Sequence, residues 1–287
     1  MNIGIFGSTG FIGKNLASFL AIEHTVVCFT RAQLEGNIAG LAEKLAGLDV
    51  IINLVGSGIV EKRWTKKYKK EIVDSRVMAL SKIKMALALI KGPPPVFISA
   101  SAVGIYRPGT YNDEINYTYG NDFLSDVVRK WEAAAMDFGE LVSKSIILRF
   151  GIVLGYNGGA LKKLIKLYRR GLGGILGFPE YIYPYISIND LVRAILFLIQ
   201  KVESIGVYNF VEPVKISNKE FSNALAEALH KRVFFNFPGG LVTLFLGKRA
   251  AVLFAGQHVF PAKLLNLGFE FQDHNISEYL NKEVNKK

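Results

Sequence analysis

With 287 residues, half of them hydrophobic, and a single cysteine, the chain carries enough apolar material for a core and excludes an intrachain disulfide framework. Its net charge of +11 comes with no zinc-finger spacing, no aromatic RNA-binding signature and no basic tail, so a nucleic-acid partner is not expected. The start lacks the basic-then-apolar pattern of a leader, and the most apolar late stretch, Leu241 to Ala255, is interrupted by Lys248 and Arg249. It falls short of the about 20 apolar residues that span a bilayer, so a cytoplasmic protein without membrane contact is the expectation.

Along the chain, Asn2 to Phe6 reads as a short apolar strand, and Phe11 to Leu20 carries apolar residues at helical spacing. Thr25 to Phe29 is a β-branched second strand. Cys28 lies in its apolar run and reads as a buried structural thiol. Leu41 to Leu48 reads as a short helix, Asp49 to Val55 as a buried strand, and Trp64 to Leu89 as a helix with Trp64, Tyr68 and Ile72 on one face. After KGPPP a strand starts at Val96. A helix follows from Asp122 to Leu141, and a strand-like run from Ser145 to Leu154.

Strands that alternate with helices, and that are continuous apolar runs, predict a parallel sheet covered on both faces. The fold class is α/β, a doubly wound parallel Rossmann sheet with a smaller C-terminal substrate lobe. Residues 1–155 form the nucleotide-binding domain. Leu191 to Gln200 (a helix) and Gly206 to Val211 (a strand) bring residues 186–211 back to it. Residues 156–185, with glycine clusters in YNGGALKK and RGLGGILGFPE, and residues 212–287 form the lobe. Only the tail NKEVNKK reads as disordered.

The loop FGSTGFIG follows the first strand and opens the first helix. Gly7 allows the sharp turn, Gly10 lets backbone approach a pyrophosphate, and Gly13 lets helix pack on strand. Ser8, Thr9, Phe11 and Ile12 complete a phosphate cradle at a helix N-terminus. The second strand ends in Thr30 and Arg31, with no acid before Glu35. A guanidinium there suits a 2′-phosphate, so NADP(H) is favoured over NAD(H).

Two basic clusters, Lys62 to Lys70 and the face of Lys162, Lys163, Lys166, Arg169 and Arg170, read first as solvated helix faces. The four histidines are scattered without ligand spacing, and no nucleophile elbow or Cys–His pairing occurs.

The strings FGSTGFIG, INLVGSGIVEKRWTKKYKKEIVDSR, FISASAVGIY, RKWEAAA, LRFGIVLG, ISINDLVRAI and GQHVFPAKLLNLGFEF cover nearly the whole chain. In these strings it resembles the extended short-chain dehydrogenase/reductases, in an epimerase-like branch with a small C-terminal domain of unknown function. The resemblance implies that Asn53, Leu54, Val55 and Gly56 line the adenosine side, and Ser99, Ala100 and Ser101 the nicotinamide side. Phe150, Gly151 and Val153 would pass the nicotinamide amide. A Ser or Thr at the place of Ser101 bonds the substrate's reacting oxygen in those enzymes.

Departures accompany the resemblance. The Tyr-x-x-x-Lys pair that moves the proton in those enzymes is absent. If Glu132 takes its usual place, Leu124 and Val128 stand where Tyr and Lys belong. Arg31 to Asp49 is short, so the expected third strand is stunted. Ser187 stands where a histidine is common.

The expected catalytic residues are Ser101 and, as proton donor from the loop beyond the strand, Tyr106; for Tyr106 the competing reading is a buried or ribose-contacting tyrosine. Arg63, Arg76 and Arg149 are candidates for holding a substrate anion, Arg149 alternatively being a paired structural arginine. Trp64 reads as packing. Lys130 and Trp131 lie near the missing lysine, their direction set by helical phase. The resulting expectation is an NADP(H)-dependent oxidoreductase or nucleotide-sugar-epimerase-like protein acting on a small anionic or sugar-like molecule. The competing reading is a non-catalytic NADPH-binding regulatory protein. A homodimer through exposed Rossmann helices is compatible, with no face identified.

Overall fold

In the computed structural model, β1 (Asn2–Phe6), β2 (Thr25–Phe29), β3 (Val50–Asn53), β4 (Val96–Ala102), β6 (Lys144–Phe150) and β10 (Gly206–Phe210) form one parallel sheet in the order β10-β6-β4-β3-β1-β2. All residues are described except 234, 238–239, 241–242, 245–246, 251–255 and 287. Ile3, Ile5, Ile51, Ile52, Phe97 and Ile98 are fully buried, as continuous apolar runs demand in a sheet covered on both faces.

One face packs on α1 (Phe11–Leu20) and α7 (Ile188–Gln200), through Leu16, Leu20, Leu191, Ile195 and Leu198. The other packs on α3 (Ile38–Leu45), α4 (Lys66–Leu87) and α5 (Phe123–Met136), through Leu41, Leu80, Ile83, Trp131 and Ala135. Thr65 and Asp122 cap α4 and α5 by accepting from Tyr68 N and Ser125 N.

The expected third strand is missing altogether. Residues 31–49 fold as α2 (Arg31–Glu35) and α3, so β2 is the sheet edge. This corrects the reading of Cys28, which is exposed on that edge strand. The opposite edge is treated differently. Glu114 Oε1 accepts from Asn209 N of β10 at 2.8 Å, and its Oε2 from Lys263 N at 3.2 Å.

The single strand expected over 145–154 is two. It breaks at Gly151, and β7 (Ile152–Gly155) leaves the sheet to pair with β9 (Tyr185–Ser187). A Cβ at Gly151 would meet Pro184 O at 2.7 Å, so the crossing requires glycine. The glycines after β7 have a cause too. Hypothetical Cβ atoms at Gly155, Gly158 and Gly159 would lie 2.7, 2.3 and 2.9 Å from the Phe11 ring, which nests against their backbone.

The lobe core joins α6 (Gly159–Arg169), α8 (Asn218–Ala228) and α10 (Ile276–Val284) through Leu161, Ile165, Leu225 and Leu280. The basic side of α6 is exposed. β8 (Gly174–Leu176) pairs with β11 (Phe235–Phe237), and β5 (Tyr111–Asn112) with β12 (His258–Val259). Leu264 of α9 (Ala262–Asn266) and Phe269 pack on the Rossmann core, beside Tyr208 and Ile195.

The C-terminus is ordered further than its composition suggests. α10 runs to Val284, and the buried Glu283 accepts from Tyr156 N at 2.6 Å. Asp190 at the start of α7 accepts from Gln272 N and Asp273 N, at 2.9 and 2.8 Å, and pairs with Arg193. Buried Glu212, just beyond β10, accepts from Ser187 N at 3.2 Å. Of the apolar stretch 241–255, residues 241, 242, 245, 246 and 251–255 lie outside the described residues. Among the described residues no helix is long and apolar enough to cross a membrane.

Candidate functional site

The glycine loop is built for close approach. Gly7 has φ +81°, in the left-handed region. A Cβ at Gly13 would lie 2.3 Å from Gly7 O and 2.7 Å from Ser8 Cα, so only glycine lets α1 pack onto the loop. Gly10 N donates to Gly7 O at 3.0 Å, closing the turn. Gly10 is also the N-cap of α1 and offers no side-chain acceptor, and the first turn holds no acid. The first amides of α1 are therefore left to an external anion.

Thr30 caps α2 in a reciprocal box with Gln33. Arg31 stands beside it, its side chain 87% exposed and paired with Glu35 at 2.7 Å. The hydrogen bond and charge of Glu35 raise the Arg31 pKa. An exposed pair of this kind exchanges readily for another anion. At the carboxyl end of β3, Asn53 is fully buried. Its Oδ1 accepts from Val55 N at 3.2 Å, while its Nδ2 has no acceptor. Leu54 and Val55 are partly buried and Gly56 lies against the Arg76 guanidinium.

Register brings Ser99, Ala100 and Ser101 of β4 beside Ile147, Leu148 and Arg149 of β6. Ser99 Oγ is turned to Ala100 O at 3.2 Å. Ser101 Oγ donates to Glu132 Oε1 of α5 at 2.6 Å. Arg149 grips the same carboxylate with two bonds, Nε to Oε1 at 2.7 Å and Nη2 to Oε2 at 2.6 Å. Its Nη1 donates to the Tyr106 hydroxyl at 2.7 Å, which in turn donates to Asn209 Oδ1 at 2.7 Å.

Arg149 is thus a paired structural arginine, not a free anion clamp. Burial alone lowers its pKa, and the bidentate bond to Glu132 outweighs this and raises it. Tyr106 is 1% exposed, and burial pushes its phenol up to about 12. Its proton points to Asn209, so it is held in the fold and does not face the cavity described next.

A cavity of about 190 Å³ opens beyond the carboxyl ends of β4 and β6. Its walls include Ala102, Val103 and Gly104 after β4, and Phe150, Gly151 and Ile152 after β6. The lobe covers it with Tyr181, Pro184, Gly256 and Gln257. Leu124 and Val128 of α5 line it, as the placement of Glu132 predicts for the positions of the absent Tyr–Lys pair.

Trp131 also faces the cavity, and sequence reading had left its direction open. Lys130 points outward to Asp126 at 2.8 Å. Arg76 of α4 lines the cavity, 4.8 Å above the Trp131 ring. Arg63 is exposed and outside it, while Trp64 packs edge-on against Phe123 at 5.0 Å. Val153 is partly buried on β7. No group of metal-ligating side chains occurs among the described residues.

Comparison with known proteins bears on this arrangement. The family model for the NAD dependent epimerase/dehydratase family matches residues 3–210, and that for a domain of unknown function, DUF1731, matches residues 237–283. The chain is 33% identical to epimerase family protein SAR0825 of Staphylococcus aureus (strain MRSA252), over 98% of each chain. It is 32% identical to the human epimerase family protein SDR39U1, over 94% of this chain and 95% of that one.

A crystal structure of human SDR39U1 (isoform2) with NADPH matches with TM-score 0.91 and 31% identity, covering 99% of both chains. UDP-glucuronic acid 4-epimerase from Bacillus cereus, in complex with UDP-glucuronic acid and NAD, shares the fold at TM-score 0.78 and 19% identity, over 99% of this chain and 98% of that one. The glycine cradle, the parallel sheet and these full-length likenesses agree: the chain belongs to the NAD dependent epimerase/dehydratase family, in a branch that carries the DUF1731 domain at its C-terminal end.

Proposed function

We propose that this protein is an NADP(H)-dependent oxidoreductase or epimerase-like enzyme that acts on a small molecule in the cavity beyond β4 and β6. The observation that carries the reading is the cradle, in which Gly7, Gly10 and Gly13 leave the α1 amides bare toward an incoming phosphate. Arg31, at the end of β2, favours a 2′-phosphate over a bare ribose. Asn53, with its amide nitrogen unpartnered, adds a donor at the end of β3. A nicotinamide dinucleotide supplies hydride chemistry when bound.

The chain's own part in catalysis centres on Ser101. Its hydroxyl is held by Glu132, which Arg149 fixes through two bonds and Tyr106 braces from behind. Ser101, one residue before the cavity-lining Ala102, bonds the reacting oxygen of the substrate when its hydroxyl turns from Glu132; Glu132, Arg149 and Tyr106 are positioning residues. Leu124 and Val128 leave the remaining wall apolar and exclude water from the reacting centre.

Titration of the purified protein with NADPH and with NADH, followed by fluorescence, tests the cofactor; tight NADPH binding is expected, and absence of binding overturns the proposal. A panel of carbonyl compounds and sugar nucleotides, followed at the reduced-nicotinamide absorbance, tests turnover. Activity that survives Ser101→Ala unchanged removes Ser101 from its place. The apolar pair Leu124 and Val128 favours one other reading, a protein that binds NADPH without turning over. Tight NADPH binding with no consumption across the panel selects that reading.

A further inference from the structure

Among the described residues, three buried donors near the carboxyl ends of β3 and β4 lack an acceptor: Asn53 Nδ2, Arg76 Nε and Trp131 Nε1. Two of them, on Arg76 and Trp131, belong to walls of the cavity, and both residues are 6% exposed. Helical phase forces Arg76 inward, because it continues the buried stripe of Tyr68 and Ile72 on α4 at four-residue intervals. Its Nη1 donates to Ile72 O at 2.8 Å, and its plane rests over the Trp131 ring. Among the described residues no carboxylate pairs with it, and Tyr68 is the one ionisable group that acts on it. Burial lowers its pKa to about 10, which leaves it a cation at neutral pH.

A desolvated guanidinium without a counter-charge is unfavourable until an anion arrives. The surrounding wall is apolar, with Leu124, Val127 and Val128 on the same face of α5 as Trp131. Size narrows the ligand further. An apolar cavity of about 150 Å³ takes a benzene molecule, and this one is about 190 Å³. Pockets for drug-sized ligands start at about 300 Å³, so the space beside the two donors suits a small body.

We propose that the substrate is a small carboxylic acid with an apolar, ring-sized or branched body, its carboxylate held by Arg76 Nε and Trp131 Nε1. The inference rests on the reading of the cavity as the substrate site. It replaces the wider expectation of an anionic or sugar-like molecule with one class. Both donors are fixed in advance, Arg76 by the Ile72 carbonyl and the indole face, so little ordering accompanies binding.

The test uses benzoate and its neutral isostere benzamide, titrated calorimetrically into the full chain with and without NADPH. Benzoate is expected to bind at least about tenfold tighter than benzamide, since only the carboxylate forms charge-assisted bonds. Arg76→Gln is expected to erase that preference, Arg76→Lys to keep part of it, and Trp131→Phe to weaken it. NADPH affinity is expected to move by less than about twofold, well inside one hydrogen bond's worth.

Equal binding of the two probes, or binding of neither, overturns the proposal on the wild-type protein alone, whatever the stability of the variants. An Arg76→Gln variant that loses NADPH and retains benzoate overturns it as well, and assigns the guanidinium to the cofactor beside Gly56. Failure to bind NADPH sinks the proposed function and leaves the benzoate comparison standing as a separate result.

Discussion

Glu132 Oε1 accepts two bonds at once, from the Ser101 hydroxyl at 2.6 Å and from Arg149 Nε at 2.7 Å. One carboxylate oxygen of α5 therefore ties β4 to β6. Through Arg149 and Tyr106 the same network reaches Asn209 of β10. Side chains from three strands, one helix and the loop after β4 are locked together next to the cavity-lining Ala102 and Phe150.

Glu132→Gln keeps the shape of this junction and removes its charge. Arg149 then stays buried without a counter-ion, and breaking a buried pair in this way costs about 3 kcal/mol or more. Ser101→Ala removes one bond to a carboxylate that retains two others, a loss of about 1–2 kcal/mol. Urea unfolding separates the two cases. Ser101→Ala is expected to remain folded and to lose turnover, so its assay reports chemistry and not collapse.

Gly13→Ala places a methyl 2.3 Å from Gly7 O, a backbone atom that has nowhere to go. Expected effects are a loss of about 1–3 kcal/mol from forced repacking and weaker NADPH binding, because the loop must open for α1 to fit. Thermal melts with and without NADPH check both at once. A variant that melts and binds like the parent contradicts the cradle geometry.

Arg31→Ala breaks a pair that is fully exposed, so no change in melting temperature is expected. The preference for NADPH over NADH is expected to fall by roughly tenfold, the worth of one charge-assisted contact to a 2′-phosphate. Parallel titrations with the two cofactors measure it, and an unchanged ratio places the 2′-phosphate elsewhere.

Stability is expected to fall with rising pH through the Glu212 carboxyl. Burial, helped by neighbouring Asp190, raises its pKa from the ordinary 4.5 to about 8. Asp273 adds to the rise, and the Ser187 amide opposes it; Arg193 faces Asp190 and not Glu212. The folded chain thus holds a proton that the unfolded chain releases across this window. The contribution is complete below the ordinary value and is lost as pH climbs through the folded one, by at most about 1.4 kcal/mol per pH unit. Urea midpoints at pH 5, 6.5 and 8 trace the slope, and Glu212→Gln is expected to flatten it. Equal slopes in the two proteins reject the assignment.

Much of this architecture is legible in the chain itself, and particular residues show where legibility stops. Continuous apolar runs mark β1, β2 and β4, because a two-sided parallel sheet leaves no polar face to alternate with. Placement of Glu132 put Leu124 and Val128 at the positions of the absent Tyr–Lys pair, and both line the cavity. The edge position of β2 was half legible: the short stretch 31–49 pointed to a stunted third strand and Leu41 to Leu48 to a helix, and the fold goes further and places two helices there with no strand. Cys28 read as buried and is exposed. The inward turn of Arg76, a candidate anion holder in the sequence, had a further signal in the four-residue step from Tyr68 and Ile72. Tyr106 lacked any local cue, as its partners Arg149 and Asn209 lie 43 and 103 residues away.

The two rims of the sheet are unlike. On one, the Glu114 carboxylate occupies the Asn209 amide of β10 in the way a neighbouring strand would. On the other, β2 ends the sheet with no strand beyond it. The central sheet is therefore polar from rim to rim, and among the described residues β2 is the edge that offers unpaired backbone to an extended segment. The exposed thiol of Cys28 lies on that open edge strand, three residues before Arg31.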